Sequence, residues 1–384
     1  MNNNNGVRAT DPKTPDGDLR FVIAIPVGAW HESLAATFES LAIQTPRPAV
    51  ALLDASGDPR VSDLADTFGD LFAYRRHGPD GGQTAAIAEG WRELEGDVLH
   101  WLNVDDALMP GALAAVQRKF HEHPEADIVY GHSIVLDEDG GLRGAHPAVD
   151  PKRLDALPRD CVISQPSCFA RREAVDRAGG LNEHFHYVMD WDLWTRLYRT
   201  GATFEFLNEF LSQVVWGADT KTAHLNARKL REMFTIVSRT RKPVWILRTL
   251  GAAARQILID YHINPIFHRK PFYWRNGTRL PYVNFGRGDA VGIEITLETE
   301  GFAGATSTDR LEVFDPQSAL IPSSAGEWKL NGAGDQLEIA FADEIGTGDP
   351  IWIRTDDDAL QRRVRRIRWV YDTTDNSGAS AGND

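Results

Sequence analysis

Short apolar runs, each closed by a turn-forming or acidic cluster, limit what this chain can fold into. Phe21 to Val27 is apolar throughout, as in a strand buried on both faces. His31 to Ile43 then repeats Leu34, Phe38 and Leu41 at helical spacing. Val50 to Leu53 ends at Asp54 in an Asp-Ala-Ser-Gly-Asp turn. Leu71 to Tyr74 runs into Gly78-Pro79-Asp80-Gly81-Gly82, and a helical pattern follows from Gln83 to Leu94. Val98 to Leu102 ends at Asn103-Val104-Asp105-Asp106, Pro110 suits the first turn of the next helix, and Ile128 to Tyr130 is a further strand. This alternation predicts an α/β fold, a mostly parallel sheet with helices on both faces. Such sheets bind ligands at the carboxyl ends of their strands, where Asp54, Asp80, Asp105 and Asp106 fall.

The 384 residues suffice for two or three domains, and 42% hydrophobic with 25% charged residues is ordinary for a soluble globular chain. Two cysteines, Cys161 and Cys168, exclude a disulfide framework or a four-cysteine zinc site and suit a reducing cytoplasm. Met1 to Asp18 lacks the basic start and apolar core of a secretory signal, and no run of 18 apolar residues is present. The net charge of −14 argues against nucleic acid as a partner. Against that balance, Lys221 to Arg279 holds thirteen Lys and Arg with two acids, Glu232 and Asp260.

The expected organisation is a polar tail over 1–18, the α/β domain over 19–222, a basic amphipathic helical segment over 223–280, a β-sandwich-like domain over 281–372 and a second tail over 373–384. Alternation at Val291, Ile293, Ile295 and Leu297, and at Leu337, Ile339 and Phe341, carries the β reading.

Three clusters carry chemistry. Asp105-Asp106 follows a strand directly; adjacent carboxylates repel, and a divalent cation with substrate phosphates is one way to offset that. On the dipeptide alone, a helix N-cap with an acidic first turn is the commoner explanation. Asp80-Gly81-Gly82-Gln83 opens a helix, where glycines admit a ligand to the backbone and free N–H groups favour phosphate; an ordinary tight turn is the alternative. Met189-Asp190-Trp191-Asp192-Leu193-Trp194 interleaves acids with aromatics, which suits a sugar, or else begins an amphipathic helix with its tryptophans in the core. An Asp with a pKa of about 3.9 is ionised at neutral pH and can accept a proton.

The order and context of these segments closely resemble the family-2 glycosyltransferases over residues 21 to about 222. Phe21 to Pro26 with Glu39-Ser40-Leu41-Ala42-Ile43-Gln44-Thr45 resembles the family's opening strand and helix end. Gly78 to Ile87 resembles its Asp-x-Gly-Gln loop, and Trp101 to Asp106 with Pro110-Gly111-Ala112-Leu113 resembles its acidic motif. Ile163-Ser164-Gln165-Pro166-Ser167 through Trp194 resembles the acceptor-side segment of the branch that builds bacterial surface polysaccharides.

The resemblance implies a glycosyltransferase A-type fold and an inverting transfer from a nucleotide-diphospho-sugar to a glycan or lipid-linked glycan. It implies that Asp54 and Asp80 contact the nucleoside, that Asp105 and Asp106 hold the ribose and a divalent metal, Mn²⁺ or Mg²⁺, and that Asp190 is the general base with Asp192 beside it. Pro26, Gly82, Gln83 and Asn103 join the donor site, and Gln165 and Trp191 are expected sugar contacts. Two departures stand out. Asn103 occupies a position where the family commonly has Asp, and Trp216 to Thr222 holds no His a few residues before Lys221-Thr222, although Asp219 or His224 could substitute. They motivate a second reading, a non-catalytic sugar-nucleotide- or glycan-binding protein of the same fold; a nucleotidyltransferase is a third.

The basic segment can lie on an anionic membrane, placing a cytoplasmic enzyme at the inner face, or dock on the acidic domain by complementary charge. The β domain carries no recognisable motif. Its arginines at 362, 363, 365, 366 and 368 could face phosphate, though alternation would split them between two faces.

Overall fold

The computed structural model describes residues 17–146, 151–216, 226–258, 279–285, 288–297, 311–321, 328–331 and 335–371. Nearly all of the two expected tails, and Asp219, Lys221 and His224, lie outside the described residues.

The first half is built as the apolar runs require. Strands β1 (Phe21–Val27), β2 (Ala49–Asp54), β3 (Phe72–His77) and β4 (Val98–Trp101) form a parallel block in the order β3-β2-β1-β4. Helices α1 (Leu34–Ala42), α2 (Pro59–Thr67) and α3 (Gln83–Glu93) make the crossovers. Side chains alternate along β1, so one sequence run serves two cores. Val22 and Ala24 pack with Ala86, Ile87 and Trp91 of α3. Phe21, Ile23, Ile25 and Val27 pack with Leu34, Phe38 and Leu41 of α1. Gly90 lets α3 lie close to the sheet, since a Cβ there would stand 3.0 Å from Ala51 and Leu53.

Beyond β4 the sheet turns mixed. β5 (Asp106–Leu108) and α4 (Ala112–Glu122) are followed by β6 (Ile128–Leu136), β7 (Leu142–His146) and β8 (Cys168–Arg171). Then come α5 (Arg172–Arg177), α6 (Met189–Arg199) and β9 (Phe204–Val215). β8 runs antiparallel to both β4 and β6, and β9 lies parallel to β6. Pro110 falls before α4 rather than in its first turn, because Gly111 takes the capping position with a φ of 73°. The basic segment supplies α7 (Ala227–Ser238) and α8 (Pro243–Leu258).

The C-terminal strands make two layers over one apolar core. β10 (Leu280–Val283), β12 (Leu311–Phe314), β13 (Leu320–Ile321) and β16 (Pro350–Thr355) form one sheet. β11 (Ala290–Leu297), β14 (Trp328–Leu330), β15 (Gln336–Ile345) and β17 (Val364–Tyr371) form the other, and Ile293, Ile339, Val313 and Ile353 meet between the layers. The second layer is continuous with the first domain's sheet, because β17 pairs with β7 at Ile367 and Leu142. Arg366 bonds Asp137 at 2.8 Å and Arg368 bonds Glu294 at 2.9 Å, so these arginines are held in structural ion pairs.

Candidate active site

The acidic segment after β4 is shaped by a polar row along α1 and just past its end. Thr37, Ser40 and Gln44 recur at helical spacing and are buried. Thr37 Oγ1 reaches the carbonyl of Asp106 at 2.8 Å, and Ser40 Oγ accepts the Leu108 N–H at 3.1 Å. Gln44 Nε2 donates to the Met109 carbonyl at 3.0 Å while its Oε1 accepts from Leu113 at 3.2 Å. Buried backbone groups need such partners, so α1 fixes the course of the chain that carries Asp105 and Asp106.

A cavity of about 810 Å³ opens at the carboxyl ends of β1 and β4. Pro26 and Gly28 form one wall, and Asp80, Gly82 and Gln83 a second. Asn103, Asp105, Asp106, Gln165 and Asp190 also line it. Gly82 adopts a φ of 103°, which L side chains avoid, and its N–H donates to Asp80 Oδ1 at 2.7 Å. Arg76, which sequence reasoning missed, braces this loop by bonding Asp80 at 3.1 Å and Glu89 at 2.9 Å.

Amide side chains line the cavity floor. Gln83 Nε2 donates to Asn103 Oδ1 at 2.8 Å, and Asn103 Nδ2 donates to Asp106 Oδ2 at 2.9 Å. Gln165 Nε2 donates to the Trp101 carbonyl at 2.7 Å. The turn holding Gln165 rests on buried hydroxyls, with Ser133, Ser167 and Ser212 mutually within 2.9 Å. Burial, and then the charge of Asp105, push the Asp106 carboxyl well above its usual range. Burial also raises Asp105, and the nearby His31 opposes that rise. His31 lines the same cavity; its Nδ1 accepts the Ser33 N–H at 3.2 Å, which leaves the proton of a neutral ring on Nε2. Two adjacent carboxylates that both resist ionisation fit an oxygen-preferring cation that takes its other ligands from substrate phosphate and water. Among the described residues, the three-ligand cluster is instead His123, Glu125 and Glu205, which lies apart from this cavity.

Asp190 and Asp192 differ sharply. Asp190, in the first turn of α6, is half-buried and lines the cavity. Asp192 is fully buried and bonds Arg196 at 2.8 Å and Arg239 at 2.5 Å. Its place is behind the site, tying α6 to α7. Trp191 is not on this cavity wall but lines a neighbouring cavity beside Asp190, and its Nε1–H donates to the Leu157 carbonyl at 2.6 Å. Asp54 is 4% exposed; Ser56 and His77 take its oxygens, and it is not on the cavity wall. Glu232 answers part of the basic-segment question. Its carboxylate accepts the N–H groups of His186 at 2.9 Å and Tyr187 at 2.7 Å, just before α6. With the Arg239–Asp192 ion pair, this contact ties α7 to the first domain.

No helix among the described residues is long and apolar enough to cross a membrane.

The chain matches, over residues 23–179, the family described as Glycosyl transferase family 2. It is 31% identical over 134 residues to the O-antigen biosynthesis protein RfbC of Myxococcus xanthus, covering 34% of this chain and 10% of that protein. It is 21% identical over 210 residues to the uncharacterized glycosyltransferase RT0329 of Rickettsia typhi, covering 52% of this chain and 62% of that one. The chain thus spans less than two thirds of either relative. Among solved structures, residues 1–349 of S. aureus TarS in complex with UDP-GlcNAc align with a TM-score of 0.46 and 12% identity, covering 66% of this chain and 76% of that one.

Proposed function

We propose that the chain is an inverting glycosyltransferase that moves a sugar from a nucleotide-diphospho-sugar to a hydroxyl of a glycan or lipid-linked glycan, in the building of a polysaccharide. The observation that carries this reading is a single cavity lined by the β1 end, the Gly82 loop, the acidic pair and Asp190. Pro26 and Gly28 would flank the nucleoside, and the backbone at Gly82 and Gln83 would face phosphate. Asp105 and Asp106 would hold Mn²⁺ or Mg²⁺, which when bound offsets charge on the departing diphosphate. Gln165 and Asn103 present amides to the sugar hydroxyls. Asp190 takes the proton of the acceptor hydroxyl as that oxygen bonds the anomeric carbon. The bond from that carbon to the diphosphate oxygen breaks on the opposite side, which inverts the centre.

Thermal unfolding against a panel of nucleoside diphosphates, with and without Mn²⁺ or Mg²⁺, tests the donor site. A ligand at about 100 times its Kd adds about 2.7 kcal/mol of stability. The expected result is a metal-dependent rise with one nucleotide that disappears in Asp106→Ala. A rise without any turnover of the matching sugar nucleotide would favour the non-catalytic binding reading, for which Asn103 in place of a third carboxylate is the specific observation. No rise with any nucleotide overturns the donor site.

A further inference from the structure

Asp190 stands at the boundary of two cavities. With Cys161 and Tyr187 it lines both the 810 Å³ cavity and a second one of about 410 Å³ on its other side. A base that must touch both reactants belongs at such a junction, so the second cavity is the direction from which an acceptor reaches it.

The chemistry of that second cavity is specific. Arg159, Lys229 and Arg248 line it around Trp245, facing Asp160 and Asp190. The guanidinium carbons of Arg159 and Arg248 lie 4.5 and 4.8 Å from the Trp245 ring centroid, which holds both side chains extended over the ring. Asp155 shares Arg159 at 3.5 Å, while Arg248 is exposed and has no ion-pair partner among the described residues. Forked guanidiniums pre-set on an aromatic plane match the oxygens of a phosphate. The acidic balance of the whole chain makes this local excess of cations a selective one.

Helix α8 carries the second half of the observation. Trp245, Arg248 and Thr249 line the cavity. The adjoining Val244, Leu247 and Leu250 are 50%, 68% and 42% exposed, an apolar strip beside the cationic mouth. Exposed apolar side chains next to exposed cations are the composition of an interfacial helix on an anionic membrane.

We propose that this second cavity holds the phosphate of a lipid-linked sugar acceptor, through Arg159, Lys229 and Arg248, while Val244, Leu247 and Leu250 rest in the membrane that carries its lipid. The inference rests on the transferase reading, since it uses Asp190 as the junction. It adds the charge of the acceptor and the side from which it enters.

The test is co-sedimentation of the full chain with three vesicle preparations. They are phosphatidylcholine alone, phosphatidylcholine with undecaprenyl phosphate, and phosphatidylcholine with phosphatidylglycerol at the same charge density. Binding is expected to be strongest with undecaprenyl phosphate and to fall about tenfold in Arg248→Glu and in Arg159→Gln, as loss of one charge-assisted contact implies. Arg248 is exposed, so its variant keeps the fold. Glucose 1-phosphate should compete poorly; full competition would overturn the lipid part and assign the site to a soluble phosphorylated acceptor. Equal binding to phosphatidylglycerol vesicles, or wild-type binding in both variants, overturns the proposal. Nucleotide titrations on the same protein, with Asp80→Ala as the control that weakens only those, show separately whether the donor reading fails.

Discussion

Asn103 donates its side-chain amide to Asp106 Oδ2 at 2.9 Å, and this bond partly offsets the burial that raises the Asp106 pKa. The amide thus supplies to the acidic pair some of the stabilisation that a cation would. Replacing it with a carboxylate removes the donor and adds a third negative charge. Asn103→Asp should lower the stability of the metal-free chain by about 1–3 kcal/mol and enlarge the stabilisation by Mn²⁺. Melting curves in chelator and in Mn²⁺ check both halves.

The acidic pair also sets a pH dependence. Asp106 binds its proton more tightly in the folded chain than the ordinary 3.8 of a free carboxyl. Between 3.8 and that raised value the native state holds more protons than the unfolded state, so metal-free stability falls as pH rises through the window. Metal binding needs the ionised pair and should strengthen over the same range. Asp106→Asn is expected to flatten the stability profile measured in chelator, and an unchanged profile would remove Asp106 as its source.

Asp190→Asn keeps shape and hydrogen-bonding capacity but cannot take a proton. Turnover should fall by about 10²–10⁴-fold with donor affinity intact. Normal turnover in this variant would end the assignment of Asp190 as base.

Asp192→Asn should behave differently. Arg196 and Arg239 would lose their shared carboxylate, and both keep partial access to water at 21% and 31% exposure. A loss of about 3 kcal/mol is expected, near the lower end for breaking a buried pair. Denaturant titration reads it, and any activity loss should track the fraction unfolded.

The contrast between these two aspartates shows how far sequence alone reaches. A motif of alternating acids and aromatics marks where α6 begins, but residues two apart on a helix point about 200° from each other. Which of them meets the cavity depends on Arg239, 47 positions away, and on Glu232 at the preceding turn. By contrast β1 and the Gly82 loop are readable, because a continuous apolar run and a glycine-rich turn are local signals of residue type. Asp54 marks the end of β2 as expected. Its partners Ser56 and His77 come from a turn and a neighbouring strand, and strand pairing is not written in either segment. Trp191 is a sugar contact only as the resemblance implies, and its bond to Leu157 is again a long-range contact.

The pairing of β17 with β7 has a consequence for how the chain is made. β7 comes off the ribosome more than two hundred residues before Val364–Tyr371, the last described strand. Until that strand emerges, the flank of β7 that will receive it has no partner, and Asp137 waits for Arg366. A nascent chain with an open strand flank is a template for pairing with other chains. Synthesis halted before residue 364 therefore yields a first domain whose donor cavity is complete in sequence but whose sheet is unfinished, a product prone to self-association.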